Sequence, residues 1–535
     1  MKTLIRILIT GWLAMAGLAS AQQQQATPTI RLGDIGAYGL TEVGDDATAR
    51  EFAVLIGQDK AKEALAAASA AADKGQAVGQ FLLGWAAENG KGREASAADA
   101  EKAYREAAKR NYIPAVTNLA VLLLKQNPKS EEAVKLLRSA EEKDQKIAGF
   151  FLGVAYLGGA TGTADFASAA QFWSKAATAG SVIAYRHLGY LYEGTFGFPG
   201  QTDVKKAAEN YEKAADLNDA EAAIRLGVLI LRSGEALGKK AGDAPKWFEK
   251  AASSDNPGAI FLLGQVKEMG IKEKDKEGKE TEVYPADPAG ARALYKKAAD
   301  KEHAASIFKL GFMMERGLGG DKNEAESIKL YRKAAELGSG DAYLSLGLLS
   351  QKGQGVEKDE KEAFRNFLQS ALRGSVPGAT QTGMAYRAGA GVTPDPIAAA
   401  AWFDRAASQG ESNAMVSIAE MMLSGQYPMN AELVGKLAQQ AFNQGNPRAG
   451  VLLGRMAERG VILQQNPAQA LGFYRWAAKR DMEDAKKSVE EMQKTLTKEQ
   501  LEQADTFTKQ LEEQAAQPAA GDAKKDGAKK EEPKK

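Results

Sequence analysis

A residue pair of the Leu-Gly type returns eleven times along this 535-residue chain, and its period limits what the chain can fold into. The second member of the pair is Gly84, Ala120, Gly153, Gly189, Gly227, Gly264, Gly311, Gly347, Gly383, Ala419 and Gly454. Successive steps are 36, 33, 36, 38, 37, 47, 36, 36, 36 and 35 residues. A period of this size marks a unit that cannot bury its apolar face alone, so successive units must stack into a solenoid.

Each unit reads as two helices joined by a short turn. In residues 376–410, Ala379, Gly383 and Tyr386 are spaced four and three apart and share one helical face. A glycine-rich break at Gly389 and Gly391 follows, then a second helix through Ala399, Trp402, Phe403, Ala406 and Ala407 to Gly410.

The register comes from the caps. Each second helix carries a large residue at a fixed place: Tyr104, Trp173, Tyr211, Phe248, Tyr295, Tyr331, Phe367, Phe403 and Tyr474, with Leu137 and Ala438 in the other two units. Eight residues earlier, nine units place an N-capping side chain: Ser96, Asp165, Asp203, Asp287, Asn323, Asp359, Asp395, Asn430 and Asn466. Such side chains accept hydrogen bonds from the unpaired N–H groups of the first turn. The two exceptions, Lys129 and Lys240, have Ser130 and Asp243 close by. Seven residues after the large residue stand Asn111, Gly180, Asn218, Gly338, Gly374, Gly410 and Gly445, which tolerate the left-handed turn that ends a helix. Small residues three and four places after the ring, such as Ala176–Ala177 and Ala334–Ala335, let helices interlock, which assigns the aromatic stripe to the core.

The segments LGYLYEG at 188–194, GQGVEKD at 353–359, FWSKAATAG at 172–180 and LYRKAAELG at 330–338 resemble the Sel1-like repeat, a branch of the tetratricopeptide-like solenoids. The resemblance runs from about residue 76 to 483 and is weakest in the second and tenth units, at 115–140 and 414–445, where both the Leu-Gly pair and the aromatic fail. It implies an all-α fold, a right-handed α-solenoid (superhelix) of about eleven antiparallel helix-pair repeats with N- and C-terminal capping helices. It also implies a concave surface, lined chiefly by first helices, that receives a peptide or protein partner. Some bacterial relatives staple each unit with a disulfide, but this chain has no cysteine. Disulfides and thiol catalysis are therefore excluded.

The repeats divide the chain as follows. Lys2 and Arg6 flank an apolar stretch from Leu4 to Leu18 that ends in Ala19-Ser20-Ala21, which predicts a signal peptide over 1–21, cleaved near Ala21. The alternative is a retained membrane anchor. An irregular lead-in over 22–45 and an N-terminal capping helix pair over 46–75 precede the solenoid at 76–483. Capping helices over 484–515 follow, opened by Thr497 and Gln500 at capping-box spacing, and the Lys-rich tail at 516–535 is expected to be disordered. The 47-residue step reflects a charged insertion over 270–288, expected to be a surface loop, with a partner-contacting loop as the second reading.

Composition narrows the function. The net charge of +1 comes from 70 basic and 69 acidic residues, so no basic field holds nucleic acid. The two histidines, His187 and His303, fall in separate units, and no metal-binding, P-loop or nucleophile-elbow motif is present. No catalytic, cofactor or metal residue is expected. The expectation is an exported, periplasmic or secreted, non-enzymatic scaffold that binds a protein or peptide. It has no nucleic-acid partner and no integral membrane segment after signal cleavage, and it is monomeric or weakly self-associating. Tyr185, Arg186 and Tyr190, which the repeat does not require, are the candidate groove contacts, with ordinary surface as the other reading. The alternative functions are an envelope polysaccharide or peptidoglycan binder or hydrolase, and a structural spacer.

Overall fold

The computed structural model describes residues 46–144, 146–195, 202–274 and 279–516. The expected leader, lead-in and nearly all of the Lys-rich tail lie outside them. Among the described residues eleven antiparallel helix pairs follow one another, from Ala77–Asn89 with Ala97–Ala108 to Pro447–Arg459 with Pro467–Ala478. The second and tenth units are complete pairs as well, Ile113–Gln126 with Glu131–Glu141 and Ser412–Leu423 with Ala431–Asn443. The chain is an all-α solenoid. Helices Ala47–Gly57 and Ala61–Asp73 precede the array, and Glu483–Thr495 and Lys498–Ala516 follow it. The chain divides into two compact units, up to Lys301 and from Glu302. Repeats contact chiefly their neighbours, so cohesion is local.

The nine caps form as the sequence requires. The Asp165 carboxylate accepts from the Ser168 N–H at 3.0 Å, Asp287 from Gly290 at 2.8 Å and Asn466 from Gln469 at 3.0 Å. In the second pair Ser130 takes the role, accepting from Ala133. Asp243 does not cap its helix. Its carboxylate accepts from the Lys240 N–H in a short 3-10 turn, and helix Pro245–Ala252 begins with a proline, which has no N–H to cap. The predicted helix stops all have positive φ, from 56° at Asn111 to 94° at Gly180. Three more residues at the same place, Asp255, Glu302 and Asp481, adopt φ of 61°, 59° and 61° without being glycine or asparagine.

The Leu-Gly pair has a steric cause. A Cβ on Gly189 would lie 2.3 Å from the Tyr211 ring of the same helix pair, and on Gly347 it would lie 2.5 Å from Phe367. The first helix thus lays its backbone directly on the ring of the second, which is fully buried in Tyr211 and nearly so in Phe367. Only glycine leaves room for that approach. Where Leu137 and Ala438 replace the ring, the glycine becomes Ala120 and Ala419.

The charged insertion in the sixth pair is not a plain loop. Ile271–Lys274 (β1) pairs antiparallel with Glu280–Tyr284 (β2), Lys272 opposite Glu282. The hairpin is anchored by Ile271, which is buried, and by Val283, which lies against Gly242 of the preceding pair. Lys267 closes its base with an ion pair to Asp287 at 3.0 Å. That preceding pair is irregular too: helix Ala220–Leu237 kinks at Ser233, next to Gly234.

Candidate binding surface

The first helices carry the residues that the repeat does not dictate, and in both units those residues tie one helix pair to the next. In the unit ending at Lys301, Arg186 reaches from the fourth pair to Asp219 at 3.0 Å and Glu221 at 3.2 Å. Asp219 also caps the first helix of the fifth pair, accepting from Ala222 at 2.8 Å. Tyr190 donates to Glu221, and the Arg225 guanidinium lies 4.8 Å above the Tyr190 ring. Arg225 and Arg232 converge on Glu193 at 3.3 and 2.9 Å. Arg186, Asp219, Arg225 and Glu193 are largely shielded from water, and each has an opposite partner.

The three sequence candidates therefore separate. Tyr190 is buried, and burial beside Glu221 pushes its phenol pKa up. Arg186 is engaged with the next pair. Tyr185 is half-buried beneath the Lys213 ammonium, 5.6 Å from its ring centre. Arg186 and Tyr190 join the fourth pair to the fifth, whereas Tyr185 packs within its own pair.

A second device was missed in the sequence. Five second helices carry tyrosine, and each hydroxyl donates to a glutamate four residues after the Leu-Gly glycine. Tyr104 meets Glu88 at 2.8 Å, Tyr211 Glu193, Tyr295 Glu268 and Tyr331 Glu315 each at 2.6 Å, and Tyr474 Glu458 at 2.7 Å. Units with another residue in place of tyrosine have no glutamate there. In the third pair the Trp173 indole N–H donates instead to the Phe150 carbonyl at 2.9 Å. A buried hydroxyl or indole needs a partner, and phenylalanine does not, so the glutamate appears only with the phenol. This signal was present within the chain as a matched pair of positions.

In the unit from Glu302, one carboxylate links three helix pairs. Glu420 of the tenth pair lies 3.2 Å from Arg387 of the ninth and 3.0 Å from Arg448 of the eleventh. The tenth pair, which has Ala438 at the ring position, is thus held from both sides by charge.

The two histidines sit in different surroundings. His187 is buried among Phe150, Trp173 and Tyr190, with Nδ1 2.8 Å from the Ile183 carbonyl. Burial, with Arg186 adjacent, pushes its pKa down to about 3. His303 sits at the N-cap of helix Ala304–Arg316, its Nδ1 2.8 Å from the Ser306 hydroxyl, and burial lowers its pKa as well. Among the described residues, no group of three or more His, Asp or Glu side chains is placed to hold a metal ion. No described helix is long and apolar enough to cross a membrane.

Stacked helix pairs with a polar first-helix face define a class, the α-solenoids that present an extended surface to a partner. The Sel1 repeat family model matches nine stretches, 77–112, 148–181, 182–219, 220–256, 258–303, 304–339, 340–375, 377–411 and 448–482, more than half of the chain. The chain belongs to the Sel1 repeat family, a protein-interaction architecture whose solenoids are generally non-catalytic adaptors. The unmatched pairs are the second and tenth, where the ring and its glycine are replaced. Among solved structures, the chain is similar to a protective antigen of uropathogenic Escherichia coli displaying an SLR fold. That match has 26% identity and a TM-score of 0.51, covering 87% of this chain and 99% of that one. It is also similar to a Sel1 repeat protein from Oxalobacter formigenes, with 28% identity and a TM-score of 0.41, covering 48% of this chain and 99% of that one. Among curated proteins it is 29% identical over 333 residues to chitin synthase regulatory factor 3 of Schizosaccharomyces pombe. That stretch is 61% of this chain and 27% of the relative, so the chain spans about a quarter of that relative's length.

Proposed function

We propose that the protein is an exported adaptor, periplasmic or secreted, that binds a peptide or protein segment on its first-helix face. The observation that carries this reading is the ion pairing between successive first helices, from Arg186 with Asp219 to Arg387, Glu420 and Arg448. Such pairing fixes side chains in place, and a surface ordered before binding loses less entropy when a partner arrives. Export is supported by the basic residues Lys2 and Arg6, the short apolar run and the Ala19-Ser20-Ala21 ending. The curated relative is named a regulatory factor of an enzyme, which accords with an adaptor role.

Crosslinking in intact cells followed by mass spectrometry tests the adaptor role. One envelope or secreted protein should be enriched over an unrelated exported control, and absence of enrichment would sink the proposal. Export is checked separately by N-terminal sequencing of the mature chain, which should begin at Gln22.

A further inference from the structure

Among the described residues, ten of the eleven second helices draw an N-cap from a side chain of their own pair. The fifth draws on its neighbour. Its N-cap position holds Lys240, and an ammonium has no lone pair to accept an N–H. Asp243 turns its carboxylate back to the Lys240 N–H at 2.8 Å. The following N–H, that of Ala241, is served from the sixth pair, where the Glu273 carboxylate on β1 accepts it. Ala241 is buried, so an N–H left there without an acceptor would be costly.

The hairpin is arranged to bring that carboxylate to the helix. Glu273 lies opposite Thr281 on β2, and Val283, two residues on and therefore on the same face, rests against Gly242. The Tyr284 hydroxyl donates to Glu249, farther along the same second helix, at 3.5 Å. On the other face, Lys272 and Glu282 are opposite one another and exposed. One face of the hairpin is thus solvated and the other is fitted to the fifth pair.

The fifth pair is the one whose second helix starts poorly. Its first helix runs on for 18 residues through the kink at Ser233. Its second helix has only 8 residues, where others have 11 to 13, and it is opened by the single 3-10 turn Ala241–Asp243. Such turns have poorer hydrogen-bond geometry than an α-helix. A two-stranded hairpin is itself only marginally stable in water. Each element therefore lends the other what it lacks: the turn gains an acceptor, and the hairpin gains an anchor.

We infer that the charged insertion of the sixth pair is a conformational device, a strap that completes the fifth pair. Glu273 is an N-cap supplied across the repeat boundary, and it joins the two strands and the first turn of the fifth pair's second helix into one cooperative block. The device serves the fold of these two pairs and does not depend on the adaptor reading.

Native-state hydrogen exchange of the full-length mature protein, read by mass spectrometry, tests it from both ends. Glu273→Ala removes the acceptor and should speed exchange over residues 241–252 by about tenfold, the usual weight of a cap. Glu273→Gln keeps an oxygen acceptor and should retain most of the protection. Ala241→Pro removes the donor from the other side. Lys240 already has φ of −89° and ψ of 154°, the conformation a residue before proline adopts, and proline suits the first position of a helix. That variant should speed exchange of the strands 271–274 and 280–284 by a similar factor. Asp203→Ala, which removes an ordinary cap in the fourth pair, should leave those strands unchanged. Unchanged exchange over 241–252 in Glu273→Ala, or equal exchange in its alanine and glutamine variants, would overturn the cap. Strands unaffected by Ala241→Pro, or slowed protection spread evenly over all pairs, would overturn the cooperative block.

Discussion

The fourth and tenth helix pairs are built to the same length and solve the same packing problem in opposite ways. In the fourth, Gly189 gives up its side chain so that the Tyr211 ring can lie on the helix backbone, and Glu193 takes the hydroxyl at 2.6 Å. In the tenth, Ala438 brings no ring, Ala419 keeps its methyl, and Leu423 stands where the glutamate would be. Buried Met415, Met421 and Met422 line the first helix there instead, flexible side chains suited to irregular space. Glycine and ring are therefore one device and are kept or lost together, and the glutamate joins them only where the ring is a phenol. Where the device is missing, the Arg387–Glu420–Arg448 bridge between pairs takes over part of the work.

The largest expected effect comes from removing the ring. Tyr211→Ala should destabilise the protein by about 4 kcal/mol, the range of large-to-small aromatic substitutions in cores. Ala438→Gly, at the equivalent position in the tenth pair, should cost only about 1 kcal/mol, the helix propensity difference. Urea midpoints of the two variants give the contrast, and similar losses would mean that the ring is not what packs the fourth pair.

Acid should also act on the ring side of this comparison, because His187 lies in the fourth pair and the tenth has no histidine. Its native pKa is about 3, well below the ordinary 6.5. Above pH 6.5 neither state takes up a proton there. As the pH falls below that, the unfolded chain gains one that the native state refuses, and stability is lost progressively down to about pH 3. At pH 4.5 the loss from this residue is about 3 kcal/mol. Denaturation at pH 7 and 4.5 should therefore show a smaller acid loss in His187→Phe than in the parent, and identical losses would contradict the burial argument.

A smaller gain is expected at the helix stops. Glu302 sits at φ of 59°, where a side chain is strained. Glu302→Gly should raise stability by about 1 kcal/mol, offset in part by the lost 3.7 Å pair with Lys333. Gly338→Ala, at the same place in the seventh pair with φ of 90°, should lower it. Thermal melts of both variants check the opposite signs.

What could be read from the chain was local. The caps are set by a side chain two or three residues from the N–H it serves, and Asp165, Asp287 and Asn466 needed no tertiary knowledge. The helix stops were legible at Gly180 and Asn218 and hidden at Asp255, Glu302 and Asp481, because an acid in a left-handed turn announces nothing by its type. The β1–β2 hairpin was read as a loop because its strands are charged. Only Ile271 and Val283 hint at an anchored face. The roles of Tyr185, Arg186 and Tyr190 were hidden for a related reason. As departures from the repeat they looked available to a ligand, but the partners of Arg186 and Tyr190, Asp219 and Glu221, stand some 30 residues on, in the next pair, and Lys213, above Tyr185, stands in the second helix of the same pair.

The most direct test of the ring–glycine device is a double-mutant cycle on Gly189 and Tyr211. Alone, Gly189→Ala should cost about 2 kcal/mol, because the new methyl meets the ring, although alanine is the better helix former. In the Tyr211→Ala background the same change should become stabilising by about 1 kcal/mol. The predicted coupling is thus about 3 kcal/mol, read from urea unfolding of the four proteins. If Gly189→Ala has the same effect in both backgrounds, the recurring glycine does not owe its place to the ring, and this explanation of the repeat is wrong.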